Sequence, residues 1–188
     1  MAEKISNPCG WSGTIQNFLS LSKAAWLASL QEHHQRCMNG PADQSQIPAW
    51  DHEFDILAKE LKQLIQANPA LGAYTIIFDY ALPRERGRRS DVIILGHAIF
   101  VLEFEDIEKI LPAHVDEVAA DARDLKHYHA GSHQSTVIPI LVLTQTKDLI
   151  KRNDDVIVIS PNRIADVLTV ESELESGSLI DPGMWIAA

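Results

Sequence analysis

Cysteine and long apolar runs are both scarce in this sequence, and each shortage excludes a class of protein. Cys9 and Cys37 are the only cysteines among 188 residues, too few and too irregularly placed for a disulfide framework, so a reducing compartment is favoured. No stretch approaches the roughly 18 apolar residues that a membrane helix needs. The N-terminal ten residues also lack the apolar centre of a signal peptide. We therefore expect a cytoplasmic protein without a membrane partner.

Positive charge is also in short supply. The chain has 16 Lys and Arg against 26 Asp and Glu, a formal net charge of -10, which excludes a protein that coats nucleic acid through its general charge. The one dense basic stretch is RERGRR at 84–89. It is either a solvated turn or a local patch that faces phosphate groups. No GxxxxGK[ST] motif occurs, so the chain itself is not expected to be an NTPase.

What the chain does have is the composition of one ordinary globular domain. Its hydrophobic content is 46%, enough at this length to bury a core. Apolar periodicity and turn residues predict an α/β protein with a mixed central sheet flanked by helices. The predicted helices cover about 22–35, 49–68, 113–130 and 161–174, and the predicted strands cover about 74–80, 91–95, 99–105, 135–143 and 156–159. We expect a helical extension over 1–45, a core over 46–174 and a tail or linker over 175–188.

The chemistry is predicted to lie between residues 74 and 105. Asp91 opens an apolar strand, a Gly-His turn follows, and the strand Ile99–Glu105 alternates so that Glu103 shares a face with Ile99 and Val101. A carboxylate within an apolar strand is costly unless something pairs with it. Because Asp91 lies one hairpin away, the two acids are placed to share a cation.

This arrangement resembles the PD-(D/E)xK nuclease core, in which an acid begins one strand and E-x-K ends the next. The matching positions are Asp91, Glu103 and Glu105, with Glu105 where the usual lysine stands. More narrowly, WSGTIQNFLSLSKAAWLASLQEHH, IPAW, DYALPRERGRRSDVIILGHAIFVLEFE and ARDLKHYHAGSH resemble the N-terminal nuclease-like domain of the bacterial DUF2075 (Schlafen group 3-like) DNA/RNA helicases. The similarity runs from about Trp11 to the C-terminus, and the R-x-D…LEF block is its most specific part. A restriction-endonuclease-like fold is what this resemblance implies, with a helicase domain as a possible partner in a longer protein.

The resemblance also implies a set of metal ligands. Asp91 and Glu103 would bind Mg²⁺ or Mn²⁺ with the backbone carbonyl of Phe104, and the helix before the first strand would add Glu53 or Glu60. Glu105 cannot supply the positive charge of a lysine, but it could act as a general base or as a further ligand. Crowded carboxylates repel one another, so at least one of them is expected to have a raised pKa before metal binds.

Other positions are expected to face the substrate or the acidic cluster. Arg84 and Arg89, which flank the basic turn, would either clamp a phosphate or neutralise nearby acids. Arg86 and Arg88 belong to the same patch, and Arg123 and Lys126 could extend it along the crossover helix. On that helix the family typically has Gln and, four residues later, Tyr; here Glu117 and Asp121 take those places.

Two functions remain open from the sequence. The first is a metal-dependent nuclease that hydrolyses DNA or RNA phosphodiesters. The second is a catalytically degenerate nuclease fold that binds nucleic acid or a protein without cutting, which the substitutions at Glu105, Glu117 and Asp121 favour. A plain interaction domain is a third possibility.

Overall fold

The fold is an α/β arrangement in which helices cover both faces of one sheet. The computed structural model describes residues 8–38, 42, 45–83 and 87–188. Within those ranges the helices are α1 (Ile15–Ser20), α2 (Lys23–Met38), α3 (Gln46–Ala67), α4 (Pro112–Tyr128), α5 (Ile164–Leu174) and α6 (Pro182–Ile186). The strands are β1 (Trp11–Thr14), β2 (Thr75–Ala81), β3 (Arg89–Leu95), β4 (Ile99–Glu105), β5 (Val137–Leu143), β6 (Ile150–Asn153) and β7 (Val156–Ile159).

The seven strands form a mixed sheet in the order β1-β2-β3-β4-β5-β7-β6. The first four pair antiparallel, β4–β5 and β5–β7 pair parallel, and β6 returns antiparallel at the far edge. Two parallel neighbours need a long connection, and α4 supplies it between β4 and β5. The predicted mixed sheet with a crossover helix is therefore confirmed.

Each face of the sheet has its own hydrophobic core. Phe100 and Leu102 of β4 lie with the aromatic residues of α1, α2 and α3, and Ile99 and Val101 lie with the buried side of α4. This division follows the two-residue period of a strand. Because helices cover both faces, the central strands are apolar throughout, and any acid among them stands out.

The two ends of the chain are more closely built into the core than the sequence indicates. The 1–45 segment is not purely helical, because β1 pairs with β2 along four residues; Ser12 and Gly13 within WSGT hide the strand signal. The segment 175–188 is more than a tail, since Trp185 in α6 is 1% exposed and its Nε1 donates to Ser132 Oγ at 2.9 Å. The edge strand β6 was also not predicted, because its side chains are mostly exposed and polar. No helix in the described part of the chain is long and apolar enough to span a membrane.

Candidate functional site

Asp91 and Glu103 lie side by side where the β3–β4 ladder ends. The last paired residues are Val92 and Leu102, so Asp91 and Glu103 would be the next pair in register. Their carboxylates accept hydrogen bonds from backbone N–H groups that would otherwise pair with backbone carbonyls of the ladder. The Asp91 N–H donates to Glu103 Oε1 at 3.2 Å, and the Phe104 N–H donates to Asp91 Oδ2 at 3.0 Å. The two predicted acids therefore share one notch between neighbouring strands.

The backbone carbonyl of Phe104 faces the same notch. In a strand the N–H and C=O of one residue point to the same side. Since the Phe104 N–H points towards Asp91, its carbonyl oxygen is directed to the β3 side as well. Two carboxylates and a carbonyl are hard oxygen donors of the kind that Mg²⁺ and Mn²⁺ prefer.

Asp79, which was not among the predicted site residues, completes a row of acids across three strands. The β2–β3 register pairs Phe78 with Val92 and Tyr80 with Ser90, which leaves Asp79 opposite Asp91. Asp79 has φ 54°, a left-handed conformation that is uncommon outside Gly, Asn and Asp. An aspartate within the apolar strand TIIFDYA was the available signal, because a buried charge needs a partner.

Arg89 is that partner. Its Nε donates to Asp79 Oδ1 at 2.7 Å, and its NH2 group contacts the Asp79 carbonyl, the Pro8 carbonyl at 3.1 Å and His33 Nε2 at 2.6 Å. Of the two roles considered for Arg89, the structure therefore supports neutralisation of an acid, and that acid is Asp79. Burial, followed by the charge of Arg89, lowers the pKa of His33, so a neutral imidazole lies against the guanidinium.

Glu53 approaches the acids from α3. It shares a pocket of about 290 Å³ with Asp79, Asp91, Arg89 and Trp50, and only 8% of the residue is exposed. Burial raises the pKa of Glu53 well above its usual range, and the charges of Asp91 and Asp79 raise it further. A second pocket, of about 450 Å³, reaches Glu53 and Phe104 from the side of Thr144.

The other predicted glutamate of α3 lies elsewhere. Glu60 Oε2 accepts from the Ala165 N–H at 3.2 Å, in the first turn of α5. Two helical turns separate Glu53 from Glu60, and that distance carries Glu60 past the end of the acidic row. Of the two candidates, Glu53 is the one that the fold brings to Asp91.

The acids in the notch are held in an environment that disfavours their charged forms. Burial is the largest cause for both, raising the pKa of Asp91 to about 6 and that of Glu103 well above its usual range. The predicted direction is confirmed, but repulsion between carboxylates is the smaller cause: for Glu103 it comes from Asp91 and then Asp121. Within the described residues neither Asp91 nor Glu103 forms an ion pair.

Asp121 of α4 closes the notch on the opposite face and is 2% exposed. Its Oδ1 contacts the Arg88 guanidinium, which also donates to the Glu117 carbonyl at 3.3 Å. Burial raises the pKa of Asp121 to about 7, although the charge of Arg88 opposes the rise. Arg88 is thus tied to α4 while about a third of its side chain stays exposed.

Of the remaining predicted basic residues, those that the structure describes lie away from the notch. Arg84 and Arg86 lie outside the described residues. Lys126 Nζ donates to the carbonyls of His133 and Ser135, at 3.0 and 2.7 Å, and so holds the loop after α4. Arg123 and Lys126 line a separate groove of about 550 Å³ between α4, β5 and α5.

Glu105 lies on the same face as Glu103, two residues further along β4, but it has different neighbours. Its Oε1 is 2.8 Å from His114 Nδ1. Glu105, His114 and Glu117 each offer one donor atom, and these three atoms lie within 4.8 Å of one another. Among the described residues, this is the one group of three acids or histidines that is so closely spaced. Glu105 and Glu117 were among the predicted site residues, whereas His114 was not; its i,i+3 spacing from Glu117 is the signal that could have identified it.

No family model, curated protein or solved structure matches this chain. The site consists of a row of acids across β2, β3 and β4, with Glu53 on one side and Asp121 on the other.

Proposed function

We propose that this chain is a metal-dependent nuclease-like domain of restriction-endonuclease-like architecture that hydrolyses DNA or RNA phosphodiesters. The observation that carries the proposal is the pair Asp91 and Glu103, adjacent at the end of a ladder, with raised pKa values. Burial, and to a smaller extent the charges of neighbouring acids, disfavours the ionised pair until a cation arrives. A divalent cation is the partner that suits a site made of oxygen donors.

Asp91, Glu103 and the Phe104 carbonyl are the residues that would hold Mg²⁺ or Mn²⁺. When bound, such an ion neutralises phosphoryl oxygens and lowers the pKa of a water molecule. Glu53 lines the same pocket as Asp91, so its carboxyl group would hold or release a proton beside these ligands. Arg89 is held by Asp79, so it fixes the acidic row in place.

The connectivity supports the proposed architecture. Three antiparallel strands, β2, β3 and β4, are followed by the crossover helix α4 and the parallel strand β5, which is the order that the sequence resemblance implies. Arg84, Arg86 and Arg88, which precede β3 in the sequence, are the residues that we propose contact nucleic acid. A helicase domain in a longer protein and a cytoplasmic location belong to the same proposal.

The alternative is a nuclease fold that binds nucleic acid or a protein without cutting. One observation favours it: the position of the usual lysine holds Glu105, whose carboxylate contacts His114. Arg88 is also already engaged with Asp121. Under this alternative the notch binds metal but lacks the positive charge that completes hydrolysis.

The test compares cleavage with metal binding in the same variants. Wild type, Asp91→Asn, Glu103→Gln and Glu105→Lys are incubated with single- and double-stranded DNA and RNA in Mg²⁺, Mn²⁺ or EDTA. Glu60→Gln is the matched control, because it changes a glutamate of the same helix that lies outside the notch. Mg²⁺ affinity is measured in parallel by calorimetry.

Metal-dependent cleavage that Asp91→Asn and Glu103→Gln abolish and Glu60→Gln retains is the expected result. Cleavage that appears only in Glu105→Lys would establish the alternative. Cleavage that persists in both notch variants, or a wild type that neither binds Mg²⁺ nor cuts, would refute the proposal.

A further inference from the structure

The residues that follow the notch on the α4 side form a second set of metal-ligating groups. Glu105 ends β4, and His114 and Glu117 lie one turn apart near the start of α4. Residues three apart on a helix lie on one face, so the side chains of His114 and Glu117 both face the end of β4, where Glu105 lies. Their donor atoms and that of Glu105 fall within 4.8 Å of one another.

This second set differs chemically from the notch because it contains an imidazole nitrogen. Asp91, Glu103 and the Phe104 carbonyl offer oxygen alone, which suits Mg²⁺. One histidine and two carboxylates suit a borderline transition metal such as Zn²⁺. The second set also begins at a different backbone position, because Glu105 is two residues beyond Glu103 on β4, about 6.6 Å along the strand.

The spacing is close to what one ion requires. Donors about 2.1 Å from a tetrahedral Zn²⁺ are about 3.4 Å from one another. Glu105 Oε1 and His114 Nδ1 are 2.8 Å apart, Glu117 is exposed, and all three donor atoms lie within 4.8 Å of one another. The donor atoms therefore lie within about 1.4 Å of the spacing that one tetrahedral ion requires.

The charge balance also allows a cation at this place. The positive end of α4 opposes one, but a helix terminus contributes only about 0.3–1 kcal/mol at an exposed position. The attraction of two carboxylates for a cation outweighs this unfavourable effect of the helix terminus. No Lys or Arg among the described residues forms an ion pair with Glu105. The carboxylate of Glu117 is likewise outside every ion pair in the described ranges.

We infer that Glu105, His114 and Glu117 form a binding site for one divalent transition-metal ion, with Zn²⁺ preferred over Mg²⁺. The binding stands on the geometry of these three residues alone. Its role rests on the proposed function: the ion places positive charge where the lysine of the E-x-K pattern is missing, next to Glu103.

The experiment is calorimetric titration of the metal-stripped protein with ZnCl₂, MnCl₂ and MgCl₂ at pH 7. The variants are His114→Ala and Glu117→Gln, with His127→Ala as the control, because His127 is an exposed histidine on the same helix that lies outside the set. Thermal unfolding of each variant verifies that it is folded. Even the outer partners of a metal ligand are worth about 10–100-fold in affinity, so loss of His114 or Glu117 is expected to weaken Zn²⁺ binding at least about tenfold.

Asp91→Asn separates this inference from the proposed function. It is expected to lose Mg²⁺ binding while Zn²⁺ still binds with wild-type affinity. If Asp91→Asn keeps its Mg²⁺ affinity while His114→Ala loses Zn²⁺, the proposed function fails and this site stands. Zn²⁺ binding that is absent from the wild type, unchanged in His114→Ala, or lost equally in His127→Ala or Asp91→Asn would overturn the inference.

Discussion

Replacing Asp91 with asparagine is expected to make the metal-free protein more stable at pH 8 and to abolish its stabilisation by Mg²⁺. Asparagine keeps an oxygen that accepts from the Phe104 N–H, and its amide can donate to Glu103, so the shape of the notch is preserved. What is lost is the negative charge in a place where burial disfavours it.

The magnitude follows from the raised pKa. Asp91 titrates at about 6 in the folded protein, compared with 3.8 ordinarily. Because one pKa unit corresponds to about 1.36 kcal/mol, the ionised carboxylate costs on the order of 3 kcal/mol of folding free energy above pH 6. Because folding raises the pKa of Asp91, the contribution of this group to stability is fully present below pH 3.8 and is lost as the pH rises through about 6. The wild type should therefore lose stability over this window, and Asp91→Asn should lose less.

The assay is urea unfolding at pH 5 and pH 8 in EDTA, repeated at pH 8 with Mg²⁺. Bound Mg²⁺ at 100 times its Kd should stabilise the wild type by about 2.7 kcal/mol and leave Asp91→Asn unchanged. Asp116→Asn is the control, since Asp116 is exposed on α4 and its loss should change stability by less than about 0.5 kcal/mol. The reasoning is wrong if Asp91→Asn is less stable than wild type in EDTA at pH 8, or if Mg²⁺ stabilises both proteins equally.

Three further substitutions test other parts of the structure. Arg89→Leu leaves Asp79 buried without its cation, so a loss of about 3–5 kcal/mol is expected in urea unfolding, and adding Asp79→Asn should recover much of it; no recovery would contradict the pairing. Trp185→Ala empties a buried position and removes the bond to Ser132, so chemical unfolding should show a loss of about 3–5 kcal/mol, whereas a residue in a solvated linker would show almost none. Glu105→Lys is expected to bind Zn²⁺ at least about tenfold more weakly, as measured by calorimetry, and equal affinity would exclude Glu105 as a ligand.

Local patterns were enough to predict most of the elements. The strand Ile99–Glu105 was predicted with the bounds that the structure has, because a two-residue period and a preceding Gly-His turn define it within ten residues. The two faces of β4 were also predicted correctly, since alternation alone assigns them. The edge elements β1 and β6 were not, because Gly13 and the exposed Lys151 lack the apolar character that marks a strand.

The candidate site was predicted only in part, because local patterns identify single residues but not their distant partners. Asp91 and Glu103 stand out locally, as acids at the ends of apolar strands. The partnership of Asp79 with Arg89 could not be predicted, since it depends on the β2–β3 register and on a left-handed residue within a strand. The choice of Glu53 over Glu60 depends on how far α3 extends past the sheet.

The sequence by itself therefore determined an α/β chain with a pair of acids one hairpin apart, because periodicity and the cost of a buried charge act over a few residues. Only the tertiary structure decided which other groups meet that pair. Strand register, the end of the β3–β4 ladder and the packing of α3 and α4 bring together Glu53, Asp79 and Asp121, and they place His114 beside Glu105. These contacts join residues far apart along the chain, so no local pattern encodes them.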